Sequence, residues 1–194
     1  MRIVSLLPAA TEIVCALGLR DRLVARSHEC DFPEDVAALP ALTRARVDSS
    51  LPSAELDAQV RDIVARRLPI YMLDEARLAA LAPDVVVTQE ACEVCAISYD
   101  QVVASLKRTA PRARVVSLQP SRLEHVLDDV RAVAAACGVA ERGEAVSTAL
   151  RARLTAMARP AEKPRVAVVE WLAPPMLAGH WTGDVLAAAG AEPL

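Results

Sequence analysis

Apolar residues in this chain come as short continuous runs separated by stretches in which they recur at helical spacing. Ile3-Val4-Ser5-Leu6-Leu7 is a run of strand length, broken at Pro8. Ile13, Val14, Ala16 and Leu17 follow on one helical face, which stops at Gly18. Leu23-Val24-Ala25 reads as a second strand. The segment from Ser27 to Pro33 is too polar and too proline-bound for a core, so it is expected on a loop. Residues 34–52 carry several prolines and turn formers and are expected to be irregular. A helix starting at Ser53 is carried by Leu56, Val60, Ile63 and Val64. Ile70-Tyr71-Met72-Leu73 is strand-like, and Asp74 is placed to cap a helix holding Leu78 and Leu81. Val85-Val86-Val87-Thr88 is a strand apolar on both faces, the kind buried in parallel sheets. A helix through Val102, Val103 and Leu106 precedes the strand Val115-Val116-Ser117-Leu118.

Strands alternating with helices on this scale predict right-handed βαβ units and an α/β fold with a mostly parallel sheet. The loops after the strands then gather at one edge, where open α/β sheets bind ligands. Pro8, Cys30, Gln89, Cys92 and Cys95 all follow strand ends. Beyond that series, Ser121 to Glu124 has capping-box spacing ahead of Leu123, Val126, Leu127, Val130 and Val133. Gly138 ends or interrupts this helix. A second helical stretch, roughly Glu141 to Ala158, is followed by a charged linker between Pro160 and Pro164. Val166 to Glu170 is a new strand, Trp171 to His180 a loop, and Val185 and Leu186 mark a final helix. An apolar patch is expected around that C-terminal strand.

Composition narrows the picture. The hydrophobic fraction of 54% supports a packed core, built from Ala, Val and Leu with only 3% aromatics. A formal net charge of −3 offers no basic footprint for nucleic acid. No apolar run approaches the roughly 18–20 residues of a bilayer span, so an integral membrane protein is not expected. The chain opens as Met1-Arg2 and enters a strand, with no visible signal peptide. That reads as cytoplasmic as it stands, or periplasmic if an export signal has been removed. Five cysteines, an odd number, argue against a disulfide scaffold.

The opening Arg2 to Ile13, Ala16-Leu17-Gly18 with Leu23-Val24, Ser27 to Pro33, Leu78 to Val87, and Gly179-His180-Trp181 together resemble the cobalamin- and iron-siderophore-binding proteins of ABC importers. Thr88-Gln89 before Cys92-Glu93-Val94-Cys95-Ala96 resembles the cobalamin-binding branch. The resemblance implies two α/β lobes, a helical backbone bridging them, a ligand held between them, and no catalysis. The expected organisation is a Rossmann-like N-terminal lobe over residues 1–120 and a helical segment over 121–160, with the bridge at Val139 to Ala158. An incomplete second lobe begins at 161–194, since the family's second lobe needs further strands beyond Leu194. No cofactor is required; cobalamin or another metal chelate is the expected ligand, and an ABC transporter permease the expected partner.

Within the implied cleft, the ligand-contact candidates are Pro8, Ala9, Thr11, His28, Glu29, Cys30, Gln89, Cys92, Trp171, His180 and Trp181. Backbone N–H groups at Ala9, Ala10 and Thr11 start a helix beside the first strand end and could hold an anionic or amide group. The plainer reading is a capped helix with no guest. An indole at Trp181 could stack on a flat macrocycle and the His180 imidazole could ligate its metal. Alternatively Trp181 anchors its loop and His180 caps the next helix; Trp171 is a weaker candidate of the same kind. Cys92 and Cys95 form a C-x2-C pair, and with His28 and Cys30 they could make a tetrahedral metal site or a dithiol couple. The plainer reading is that these cysteines pack as small apolar groups. Cys15 and Cys137 fall on helices and are expected in the core; His125 is expected to face solvent. Glu29, Asp31 and Glu90 name no mechanism, and no phosphate loop, nucleophile elbow or zinc-protease helix is present. A binding protein for a corrinoid or related chelate is the first reading. A cytoplasmic metal or thiol-redox module is the second, and an enzyme on an α/β lobe the third.

Overall fold

The computed structural model describes residues 1–90, 97–158 and 160–194. Its central sheet holds β1 (Ile3–Ser5), β2 (Leu23–Ala25), β5 (Val85–Gln89) and β6 (Arg114–Leu118), in the order β2-β1-β5-β6 and all parallel. Side chains alternate across it. Ile3, Val85 and Val87 enter one core, against Ile13 and Val14 of α1 (Pro8–Ala16) and Val130 and Val133 of α5 (Leu123–Ala136). Val4 and Val86 enter the other, against Leu78 of α3 (Glu75–Leu81) and Val102 and Leu106 of α4 (Tyr99–Thr109). Strands apolar on both faces are stable only when helices cover both faces, and each fully buried Val or Ile contributes about 1.5–3 kcal/mol. The expected α/β class and parallel sheet are therefore what the chain adopts.

The helix termini follow the sequence signals in part. α1 begins with Pro8 at its first turn and ends at Gly18, whose φ of +69° continues into a Leu19 N–H donating to the Val14 carbonyl at 3.1 Å. Asp74 caps α3 by accepting from the Arg77 N–H at 2.9 Å. The Ser121–Glu124 capping box does not form. α5 starts at Leu123 with Arg122 as its cap residue, so Ser121 lies one position too early, and its hydroxyl sits 3.1 Å from His125 Nδ1 instead. The orphan Leu123 N–H donates to the Asp184 carboxylate at 2.9 Å, a partner 61 residues away.

Two further expectations change. Within the stretch expected to be irregular lies β3 (Thr43–Ala45), which pairs antiparallel with β4 (Tyr71–Leu73) in a separate ribbon. The strand expected from Ile70 to Leu73 thus lies outside the parallel sheet, and α2 (Ser53–Ala65) sits between the two ribbon strands in sequence. The single strand expected over 166–170 divides. β7 (Arg165–Val166) pairs parallel with β10 (Glu192–Pro193), while β8 (Val169–Leu172) forms an antiparallel hairpin with β9 (Pro175–Leu177). The loop expected from Trp171 to His180 is therefore mostly hairpin, followed by α7 (Thr182–Ala188). Valines alone do not set a strand's limits; the partner's backbone hydrogen bonds do. Val168, Val169, Leu172, Met176 and Leu177 are exposed, which is the apolar patch expected here.

α6 (Ala140–Thr155), at the place expected for the bridging helix, lies tight against α5. Its 16 residues span about 24 Å at 1.5 Å per residue. Gly143 permits the approach: a Cβ there would stand 2.5 Å from the Ala134 Cβ. Ser147 donates to the Leu127 carbonyl at 3.1 Å within the same contact, and Arg131 pairs with Glu144 at 2.9 Å on its rim.

Candidate functional site

The sheet places β2 on one side of β1 and β5 on the other, so the chain leaves β1 and β5 in opposite directions. That divergence opens a crevice at the C-terminal ends of the strands, the usual ligand position in such folds. Pro8 and Ala9 are exposed there at the start of α1. Among the described residues no side chain caps this helix, which leaves the Ala9 and Ala10 N–H groups without a side-chain partner there. Thr11 behaves differently. It is fully buried, donates to Ser5 Oγ at 2.8 Å and lies 3.0 Å from Cys30 Sγ. Its hydroxyl belongs to the core, and only its backbone is near the helix start.

The loop after β2 is braced from beneath. Arg26 donates to the carbonyls of Ser27 at 2.9 Å and Ala37 at 3.0 Å. Thr43, buried on β3, donates to Ser27 Oγ at 3.0 Å and accepts from the His28 backbone N–H at 3.0 Å. His28 Nδ1 stands 2.7 Å from the same hydroxyl. The tautomer of His28 sets which of the two supplies the proton of that contact. Nε2 lies 3.1 Å from Glu29 Oε1 and is buried, with no hydrogen bond of good geometry among the described residues. His28 is thus fixed by Thr43 beside the Glu29 carboxylate.

Tyr71, at the start of β4, places its ring 5.5 Å from that of His28, and burial together with the nearby Glu29 carboxylate pushes its hydroxyl above its ordinary range. A cavity of about 10 Å³, room for about one water, is walled by Leu6, Pro8, Ser27, Glu29, Thr43 and Tyr71. Phe32, on the same loop, is 61% exposed. Neither aromatic was among the sequence candidates. Phe32 stands in the loop segment read from the sequence and could have been taken from it. Tyr71 reaches the site only through the β3–β4 pairing, which has no local signal.

Cys30 follows the strand as expected, but its thiol turns inward. It is 2% exposed, and desolvation raises its pKa despite the Thr11 hydrogen bond that opposes the shift. A neutral buried thiol is a poor metal ligand or nucleophile. Cys92 and Cys95 lie outside the described residues, as does the loop carrying them. Among the described residues no group of three or more His, Cys, Asp or Glu is arranged to hold a metal. Cys137 is buried and Cys15 half-buried, and His125 is exposed. Gln89 is half-buried at the end of β5, and beyond it Gln119 donates to Glu90 at 2.5 Å, tying the loops after β5 and β6.

The C-terminal unit carries the remaining aromatic candidates. Trp171 is half-buried on β8, its indole N–H donating to the Ala173 carbonyl at 3.0 Å. His180 and Trp181 are exposed ahead of α7, with ring centroids 5.8 Å apart. His180 holds a left-handed φ of +53°, a conformation disfavoured for a side chain with a Cβ. The pair presents an apolar ring and a nitrogen donor side by side, the combination suited to a flat, metal-bearing ligand.

No curated protein matches the sequence. Among solved structures, the periplasmic vitamin B12 binding protein of Vibrio cholerae superposes with a TM-score of 0.67 at 22% identity, covering 99% of this chain. The periplasmic heme-binding protein of Roseiflexus sp. RS-1 does so with a TM-score of 0.70 at 24% identity and 99% coverage. The periplasmic heme-binding protein of Vibrio cholerae gives a TM-score of 0.72 at 18% identity and 100% coverage. At these identities the likeness establishes a shared fold, and the chain spans 65% of the length of each of the three. The family profile described as periplasmic binding protein matches residues 3–194. With a crevice at the edge of its parallel sheet and a profile match over nearly its whole length, the chain belongs to the periplasmic binding protein family.

Proposed function

We propose that this chain forms the first lobe, the bridge and part of the second lobe of a substrate-binding protein for a flat metal chelate, a corrinoid first and heme or another iron chelate next. The lobe bounds are those expected from the sequence: residues 1–120, 121–160 and 161–194. The observation that carries the reading is the His180–Trp181 pair, an exposed indole with an imidazole 5.8 Å from it. The first lobe adds His28, fixed by Thr43, and the exposed first turn at Pro8 and Ala9. Macrocycle faces would stack on the indole, peripheral amides or carboxylates would meet the free N–H groups, and a ring nitrogen would reach the metal. The solved proteins of this fold that bind vitamin B12 or heme support the ligand class. Delivery to an ABC importer and a periplasmic location follow from the same kinship. The metal or thiol-redox alternative has weaker support, because the Cys30 thiol is turned into the core beside Thr11.

Titration with aquocobalamin and, separately, hemin tests this, read by visible absorbance and tryptophan fluorescence. The expected result is saturable quenching with a shifted metal-centred band for at least one ligand. Trp181→Ala should weaken that affinity by about tenfold, on the order of the 1–2 kcal/mol of a stacked ring. Absence of any spectral change with both ligands, under conditions where the chain is folded, would refute the assignment.

A further inference from the structure

The segment between the two ribbon strands is built unlike the rest of the chain. Arg26 and Ala41 form a parallel bridge, with Leu42 N–H donating to the Arg26 carbonyl at 2.8 Å, so the chain entering β3 runs alongside β2 in the same direction. Thr43 to Ala45 therefore carry it past the C-terminal edge of the sheet, on the crevice side. β4 returns antiparallel beside it, pairing Ala45 with Tyr71, and Arg46 N–H donates to the Ile70 carbonyl at 2.8 Å. Residues 47–69 are thus an excursion whose two ends lie together at the crevice rim.

α2 is the body of this excursion, and none of its 13 residues is buried. Its apolar positions Leu56, Val60 and Ile63 are only half-covered, and Val64 is 51% exposed. Yet it does not stand free. It contacts β8 of the C-terminal unit, and a gap of about 550 Å³ separates Ala54, Asp57, Ala58 and Arg61 of the helix from Ala173 and Pro174 at the hairpin turn. An element tethered to one lobe, resting on the other, and burying little can move at small cost.

We propose that residues 47–69 are a strap across the mouth of the crevice, tied to the first lobe by the β3–β4 ribbon and seated on the β8–β9 hairpin, and that it governs how fast a ligand enters and leaves. What passes beneath it rests on the chelate-binding reading; that the strap seats on the hairpin does not. The strap sets rates more than affinity, because a cover raises the barrier for entry and exit alike.

Excision tests it. Replacing residues 47–69 by Asn-Gly joins Arg46 to Ile70 through a two-residue turn suited to an antiparallel pair. Hydrogen exchange of the ligand-free protein reads the seat: the amides from Trp171 to Leu177 should exchange about tenfold faster after excision, and unchanged protection would overturn the proposal. Stopped-flow mixing with aquocobalamin or hemin reads the gate. Association and dissociation should both rise by about tenfold, with Kd changing less than about threefold. Rates that move less than about twofold would also overturn it. Should neither probe bind the intact chain, the chelate reading fails while the exchange measurement still decides the seat. If the excised chain does not fold, Ala58→Cys with Pro174→Cys takes its place. Joining of the two cysteines by a short bis-maleimide that spans the gap supports the seat, and failure to cross-link refutes it.

Discussion

Gly143→Ala probes how firmly the contact with α5 holds α6. The added methyl would lie 2.5 Å from the Ala134 Cβ and 3.4 Å from the Arg131 Cα. Carbon atoms rest at about 3.5–4.0 Å, so the two helices must part by about 1 Å. Neither neighbour is the tip of a flexible side chain, and rotamer changes cannot absorb the overlap. Parting the helices stretches the Ser147 hydroxyl from the Leu127 carbonyl beyond hydrogen-bond range, since that bond is already 3.1 Å. Leaving those buried groups unpaired costs about 1–3 kcal/mol, and the overpacking itself about 1–3 kcal/mol. The intrinsic helix preference for Ala over Gly returns about 1 kcal/mol. A net destabilisation of about 3 kcal/mol follows, or a urea midpoint lower by about 1.5 M, read by helical circular dichroism. Ala134→Gly added to Gly143→Ala should recover part of the loss by restoring space. A Gly143→Ala chain as stable as the original, or more so, would show that the helices are not in the close contact described.

The other two perturbations concern charge. The Asp129 carboxyl is pushed up to about 6, first by burial and then by the Asp128 carboxylate, against smaller opposing effects of His125 and the Gln119 backbone. Because its folded pKa exceeds its unfolded value, its favourable contribution is complete below about pH 4 and is lost as pH rises through about 6. Discounted for partial solvent screening, the loss is on the order of 1 kcal/mol. Asp129→Asn should therefore flatten the fall in thermal stability between about pH 4 and 6, and an unchanged slope would contradict the assignment. Asp184→Ala removes the cap that α7 supplies to Leu123, with Arg122 3.6 Å from the same carboxylate. The expected cost is about 1 kcal/mol, with faster hydrogen exchange confined to the first turn of α5 and to α7; uniform exchange across the chain would argue against a specific tie.

The parts of this protein legible in its sequence are those whose causes are local. Val85-Val86-Val87 can only be a strand covered on both faces, because a solvated face would carry polar side chains at every second position. Pro8 and Gly18 bracket α1 because a fixed φ suits a first turn and a left-handed φ a last one. Topology rules that follow from chain handedness put the loops after β1, β2 and β5 at the binding edge, while the polar, proline-bound run from Ser27 to Pro33 marks itself as a loop by composition. Tertiary structure decided what depends on partners distant in the chain. Thr43-Arg44-Ala45 has no strand pattern of its own and becomes one because Tyr71-Met72-Leu73 offers matching hydrogen bonds. Cys30 reads as a crevice ligand by position, yet its thiol turns to Thr11, since burying a small sulfur beside a hydroxyl satisfies both. The capping box at Ser121 has correct spacing and the wrong phase, and Asp184 takes its role. Local spacing fixes which conformations a segment can adopt, and only the folded chain decides which groups remain without a partner and so face a ligand.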